Sequence, residues 1–515
     1  MNTYNLIDKP WLLVKESGGE ANKVGLKYLF ANIKSIDSLV TPEFHRTKAY
    51  LYDPAVMHFL SVIVLAANYK KGNDRACGDG FVEESLCDGL DTDVVLKYLD
   101  KYRDRFDLFD ENRPFLQNPA LKELLKEDAS TRYELLFNPL TPSGNNKMFG
   151  RTREMSSLNC KMTCEELAYV LLYTASEGVS PMSAKYSNKS LCAKLTMQVM
   201  PVGENLEETI LMNCPDLSEN LYADGETRVR SFFDRPFWEM DAYAIPSDVN
   251  YSELEGYVLF NSFLPLIPVL AAEPNSEGVV ERLALSRSLD CSLLKKDARE
   301  ELTEAYLVHN PWAVKTSSES KEEESDIGYH TYTPSHNAWG LSIAATKEGA
   351  ECVIVGNRKR ELKDNPVKIY YRYMDGKKTN VLGAGYLSVP SNVFNHLCDK
   401  EKHKAAQRYQ DDFKKAKDIL IDSLRVAGTK QERRQTYSDR FSYFIENDFF
   451  NVFISNIDAL DPERSVLEAL MRMRDMVLLL VDESSREVKD ISKFIEGSRK
   501  AAASFGSLIR KEKRK

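Results

Sequence analysis

No apolar run in this 515-residue chain reaches the roughly 18 residues that a bilayer-spanning helix needs. A transmembrane segment is therefore not expected. The opening MNTYNLIDKPWLLVKES lacks the basic-then-apolar pattern of a secretion signal and reads as folded structure. The nine cysteines are scattered and odd in number, so they make no disulfide framework, and a reducing cytoplasm is the expected compartment. Histidine is scarce. The seven (His45, His58, His309, His330, His336, His396 and His403) form no H-x-H, H-x-x-H or His-Asp pair. G-x-x-x-x-G-K-[ST], G-x-S-x-G and H-E-x-x-H are all missing. Pro215-Asp216 is not followed by the acidic-x-lysine triplet of restriction-like nucleases. Cations are also too few for a chain that coats nucleic acid indiscriminately: 69 Lys and Arg stand against 78 Asp and Glu, a net charge of −9. That balance leaves room for local basic loops on an acidic body.

What is present describes a soluble globular protein, 43% hydrophobic and 29% charged, long enough for two or three domains. Leu6, Ile7 and then Trp11 to Val14, with Gly18-Gly19 as a turn, predict a strand pair. Residues 54–71 carry apolar residues at helical spacing and end in lysines suited to a helix C-terminus. Short apolar runs then alternate with Pro, Gly, Ser and Asn clusters as far as Asn395, and the acidic stretch Ser317–Asp326 reads as an exposed loop. Residues 338–356 and 366–390 read as strands and hairpins. After about residue 395 the pattern becomes helical: 400–427 ending at Gly428, 431–457, a third helix from Asp461-Pro462 (an N-cap followed by proline at the first position), and 487–511 ending in RKEKRK. The expected fold class is α+β: a loop-rich mixed domain over 1–395, then an antiparallel four-helix bundle over 396–515.

Three islands, YNLIDKPWLLV at 4–14, RFDLFDENRPFLQ at 105–117 and TPSGNNKMFG at 141–150, resemble the CasA-type large subunit of the type I-E CRISPR Cascade surveillance complex. The islands stand in the family's order, and the terminal bundle fits it. The resemblance implies a non-catalytic subunit without cofactor or metal. Its partners would be double-stranded target DNA, crRNA, the other Cascade subunits and a helicase–nuclease. The subunit would recognise the protospacer-adjacent motif (PAM) and wedge the duplex open, while base pairing with the guide reads the sequence.

The resemblance also places site residues. Ser143, Gly144, Asn145, Asn146, Lys147 and Phe149 match a loop at the crRNA end and its neighbouring subunits; glycine and paired asparagines permit the backbone such a loop needs. Gly376, Lys377, Lys378, Thr379 and Asn380 form a β-hairpin tip by local rules and match the wedge, with Lys378 where the family carries glutamine. An ammonium neutralises phosphate but cannot copy the paired donor and acceptor of an amide. Lys315, after His309-Asn310-Pro311-Trp312, matches a lysine that reaches the PAM in the minor groove, where base edges are degenerate. Lys185, Tyr186, Asn188 and Lys189 lie where the family is glycine-rich, so a side-chain contact to DNA must replace a backbone one. Each segment has a plainer alternative: a connecting loop, an exposed hairpin tip or a solvated lysine. Cys160 and Cys164 have the spacing of half a zinc site, but no second pair stands nearby, and buried free thiols are the better reading. Two other classes stay open, a passive scaffold and an unrecognised nuclease.

Overall fold

The structure is a computed structural model. It describes residues 3–40, 49–68, 81–117, 162–177, 197–215, 235–239, 258, 270–274, 278–285, 312, 367–375, 380–486, 488 and 490–513. Apart from Val367, the described residues up to Tyr386 form one compact unit and those from Leu387 form a second. Among the described residues no helix is long and apolar enough to cross a membrane.

The first unit is mixed α and β. Strands β1 (Leu12–Glu16), β2 (Ala21–Val24) and β3 (Ile36–Leu39) make an antiparallel sheet in the order β2-β1-β3, and helix α1 (Leu26–Ala31) lies between the last two in sequence. Gly18, at φ +72°, turns the chain from β1 to β2. Leu6 and Ile7, expected in the strand pair, lie instead in a turn. The Asn5 side chain accepts from Ile7 N at 3.0 Å and the Asn5 carbonyl accepts from Lys9 N at 2.9 Å, so the backbone closes on itself rather than extending.

Helices α2 (Ala49–Ala67), α3 (Phe81–Asp88) and α4 (Thr92–Lys101) follow. Helix α2 begins five residues ahead of Pro54 and stops before the lysines at 70 and 71, because the apolar pattern marks its buried stretch, not its hydrogen-bonded ends. Its Phe59 ring meets Trp11, Phe106, Phe115 and Trp238 at centroid distances of 6.3, 6.2, 5.7 and 5.8 Å. The island at 105–117 is held by its own polar residues. Asp107 accepts from Phe109 N (2.8 Å) and Tyr4 N (3.3 Å), and Asp110 accepts from Asn112 N and Arg113 N. Fully buried Gln117 donates to Leu108 O (2.6 Å) and accepts from Ala272 N (2.8 Å). Further along stand α5 (Cys164–Glu177), β4 (Met197–Val202), α6 (Leu206–Met212), the antiparallel pair β5 (Leu270–Pro274) and β6 (Val280–Leu285), then β7 (Val367–Asp375) and β8 (Asn380–Val389).

The second unit is helical. Helix α7 (Ser391–Cys398) crosses the sequence-derived boundary between residues 395 and 396 and packs on α8 (Lys400–Val426). Then come α9 (Gln431–Asp448), a π turn at Phe449–Phe453, α10 (Ile454–Ala459), α11 (Pro462–Glu483) and α12 (Ile491–Glu512). The expected signals operate. Asp461 accepts from Arg464 N at 2.9 Å with Pro462 behind it, and Gly428 at φ +84° ends α8. Ion pairs fix the directions. Arg408, early in α8, pairs with Glu463 at the start of α11 and Glu512 at the end of α12, while Arg440, midway along α9, pairs with Glu483 at the end of α11. The chain therefore runs up and down through four long helical segments, with α8 and α11 in direct contact and α9 and α12 on either side.

A buried polar knot sits in the middle. Asp448 receives Arg472 Nε at 2.5 Å, Arg472 Nη2 at 3.0 Å and the Tyr409 hydroxyl at 2.8 Å. Helix α12 approaches α8 through small residues, and a Cβ added at Gly497 would lie 2.5 Å from Ser423 O and 2.9 Å from Ala427 Cβ. Neither neighbour can swing away. Gly497→Ala should therefore destabilise the protein by about 1–3 kcal/mol through overpacking, despite alanine's helix preference of roughly 1 kcal/mol. Gly506 on the same helix has open space around it, so Gly506→Ala should raise stability by up to about 1 kcal/mol. Denaturant melts of the two variants check both signs.

Candidate nucleic-acid interface

Strand β7 lies between β4 and β8. It runs antiparallel to β4, with Met197 opposite Tyr373 and Val199 opposite Tyr371. Only four residues, 376–379, separate paired β7 and β8, too few for a parallel crossover, so the two strands form a hairpin. Buried Tyr370 of β7 packs edge-on against exposed Tyr386 of β8, centroids 5.2 Å apart. The sheet thus fixes both ends of the proposed wedge, and Asn380 is the first residue of β8. Gly376, Lys377, Lys378 and Thr379 themselves lie outside the described residues.

The free edge of β4 holds a second segment. Trp312 is 1% exposed, and its carbonyl accepts from Val199 N at 2.9 Å. Its indole Nε1 donates to Asn213 Oδ1 at 2.9 Å, while His58 of α2 stands edge-on 4.0 Å from its ring. Asn213, fully buried at the end of α6, donates to Pro201 O and Thr209 O, both at 2.8 Å. Residue 312 is therefore pinned to the sheet that carries the hairpin, three positions before Lys315. Lys315 lies outside the described residues, as do Lys185, Tyr186, Asn188 and Lys189, and the loop residues Ser143, Gly144, Asn145, Asn146, Lys147 and Phe149. Of the segments singled out from sequence, the structure brings together the flanks of two, through β4. Asn213 and Gln117 were missed: a lone Asn or Gln gives no sequence signal that it will be buried and fully bonded.

Cys164 opens α5, and its Sγ donates to Gly278 O at 3.2 Å. Burial, with Glu165 nearby, pushes this thiol up to about 11. It is a protonated donor at neutral pH, not a thiolate ligand. Cys160 lies outside the described residues. Among the described residues no group of three or more His, Cys, Asp or Glu could hold a metal ion. Elsewhere in this unit Trp238 Nε1 donates to the Tyr98 hydroxyl (2.8 Å), which donates to Glu239 (2.7 Å). Burial raises both acids, strongly for Tyr98, and this chain of bonds reads as part of the core rather than as a reactive site.

Residues 5–255 match the family model described as CRISPR-associated protein Cse1. Over 217 residues, 41% of the chain, the sequence is 29% identical to the CRISPR-associated protein CasA/Cse1 of Thermus thermophilus, and the aligned stretch spans about 40% of that relative's length. Over this stretch the chain is similar to the CasA/Cse1 family. Its fold resembles solved Cse1 structures along nearly its full length. The Cse1 crystal structure from Thermobifida fusca matches at TM-score 0.64 with 15% identity, over 99% of this chain and 98% of that one. The Cse1 structure from Acidimicrobium ferrooxidans matches at 0.66 with 14% identity, over 100% and 99%. A chain of a structure described as a CRISPR RNA-guided surveillance complex matches at 0.64 with 14% identity, over 98% and 100%.

Two outcomes test the supports of this candidate site. Trp312→Phe removes the indole donor and leaves the buried Asn213 oxygen unpaired, at a cost of about 1–3 kcal/mol. It should lower the denaturant midpoint of the first unit, and an unchanged midpoint would contradict the pinning. Alkylation of Cys164, followed by peptide mass spectrometry, should be slow at pH 8. Its rate should climb as pH approaches about 11, because only the thiolate reacts and the folded thiol loses its proton there.

Proposed function

We propose that this protein is the large, non-catalytic subunit of a type I-E Cascade complex, acting in the cytoplasm. In this reading residues 1–395 recognise the PAM in double-stranded DNA and help open the duplex for crRNA pairing. Residues 396–515 contribute the bundle. The assembled subunit then recruits the helicase–nuclease. The observation that carries the reading is the likeness of fold, over nearly the whole of both chains, to a component of a CRISPR RNA-guided surveillance complex. The hairpin of β7 and β8 adds local support, since two paired strands flanking residues 376–379 are the mount a wedge requires.

On this reading the sheet works as a mount. Unstacking a duplex step costs on average about 1.4 kcal/mol, and a tip on a floppy loop would yield before the base pair did. Lys377 and Lys378 would meet the phosphates of the parting strands, and Lys315 the minor-groove edge of the PAM, three residues beyond the Trp312 anchor. With lysine in place of the family's glutamine, strand capture here is electrostatic rather than a paired amide contact. A passive scaffold would need none of these three cations.

The test uses the crRNA-loaded complex carrying Lys377→Ala with Lys378→Ala. Binding to a fully paired target should weaken, and the salt slope should become shallower by up to about one unit per lost contact. A target already mismatched beside the PAM should bind nearly as well as to the unmodified complex, because its opening cost has been removed beforehand. Equal affinities in all four combinations of complex and target would show that the tip is not a wedge.

A further inference from the structure

The hairpin carries a feature that the wedge role leaves unused. From Val367 to Val389 the chain has four cations, Lys368, Arg372, Lys377 and Lys378, against a single acid, Asp375, in a protein whose net charge is −9. Tyr370, Tyr371, Tyr373 and Tyr386 are interleaved with them. Cations alternating with aromatic rings suit a single strand of nucleic acid. The cations track its phosphates, and the rings stack on its bases whatever their identity, because every base has a π face.

The sheet divides these tyrosines unequally. Strand β7, paired on both sides, buries Tyr370 to 5% exposure, whereas β8, last in the order β4-β7-β8, leaves Tyr386 66% exposed. The two rings lie 5.2 Å apart at 67°, an edge-to-face pair. Whichever ring presents its edge, at least one face of Tyr386 stays clear of Tyr370. The pair also holds the exposed ring in place, which lowers the ordering cost of a ligand stacking on it. Lys368, two residues before Tyr370 and on the same side of the pleat, is exposed. From Asn380, the first residue of β8, Tyr386 stands about 20 Å along the strand at roughly 3.4 Å per residue. The ring is therefore too far from the tip to meet the base pair being opened, and is placed to meet a strand already parted. We propose that Tyr386 stacks on an unpaired base of a parted DNA strand, with the cations of the hairpin along its phosphates. The contact presupposes that the hairpin opens DNA. It adds to that role a second contact, made by a ring instead of a charge, which holds the open state.

The test uses the crRNA-loaded complex and targets, mismatched beside the PAM, in which 2-aminopurine replaces one base at a time in either strand. Stacking quenches this probe. Tyr386→Phe should keep the quenching of the unmodified complex at every position, because the ring and not the hydroxyl stacks. Tyr386→Leu leaves an apolar side chain on Tyr370 but no aromatic face. It should brighten the probe at one position or two adjacent ones, and weaken binding of the mismatched target about tenfold. The salt slope should not change, because no cation has been removed. Lys377→Ala with Lys378→Ala has the opposite signature, a shallower salt slope with little loss on the mismatched target. The stacking contact and the wedge can therefore fail separately. Equal fluorescence and affinity for the Phe and Leu variants would overturn the proposal and leave the ring a packing role alone. So would a loss of quenching that Tyr386→Phe shares.

Discussion

The Phe59 ring is the constraint on which the first unit depends. Among the described residues it alone touches Trp11 from the first sheet, Phe106 and Phe115 from the 105–117 island, and Trp238 from more than a hundred residues further on. Such long-range contacts carry a loop-closure cost that only substantial burial offsets. These rings supply it, since each aromatic removes on the order of 150–250 Å² from water. The neighbouring residue on α2, His58, faces the other way and meets the Trp312 ring. Ser61, less than one turn on, accepts through its carbonyl from Cys214 Sγ. Helix α2 is thus a spine, with the aromatic cluster on one side and the β4 node on the other. Loss of Phe59 packing would reach the hairpin through α2, Trp312 and β4 without touching it.

The second unit solves a different problem. Helices of similar length and amphipathicity can slide by a turn at little cost, so apolar packing alone leaves the register of a bundle loosely set. The knot of Asp448, Arg472 and Tyr409 removes that freedom. One partner alone would leave a buried charge, at a cost of about 3–5 kcal/mol, so only the arrangement that brings all three together is tolerated. The π turn follows Asp448 directly, with Ile454 N bonded to Phe449 O, and stacks Phe449 against Phe453 under the Tyr409 ring. The knot contributes specificity rather than stability, since a buried ion pair rarely outperforms well-packed apolar residues.

What was legible in the sequence follows from this physics. Asp461-Pro462 and Gly428 announce helix ends because capping is local. The four helical segments were therefore readable to within a few residues, as was the strand pair flanking 376–379. The islands that pointed to the CasA type were legible for the same reason. Asn5, Asp107, Asp110 and Gln117 each hold neighbouring backbone in one arrangement, so their spacing cannot drift. The π turn was not readable, because it answers to a tertiary partner across the bundle. Leu6 and Ile7 read as strand since apolar pattern outweighed one asparagine. The candidate DNA residues are the hardest case. Lysines, glycines and asparagines in loops bury little, so neither pattern nor packing dictates their place, and family likeness alone assigned them.

The acidic balance of the chain and a DNA-facing role are compatible because charge acts locally. At physiological ionic strength the screening length is about 8 Å, so a loop lysine meeting phosphate is nearly blind to a carboxylate two helix diameters away. The candidate cations at 185–189, 315 and 377–378 are few, and the sequence reads them as local basic segments on an acidic chain. On the proposed reading that sparseness would have a consequence for specificity. A uniformly basic surface would hold any duplex, and the search for a short flanking motif would stall on non-target DNA. An acidic body with a few basic loops would repel the duplex except where those loops make contact. On the proposed reading the net charge of −9 would work as a filter, raising the share of binding that comes from the motif itself.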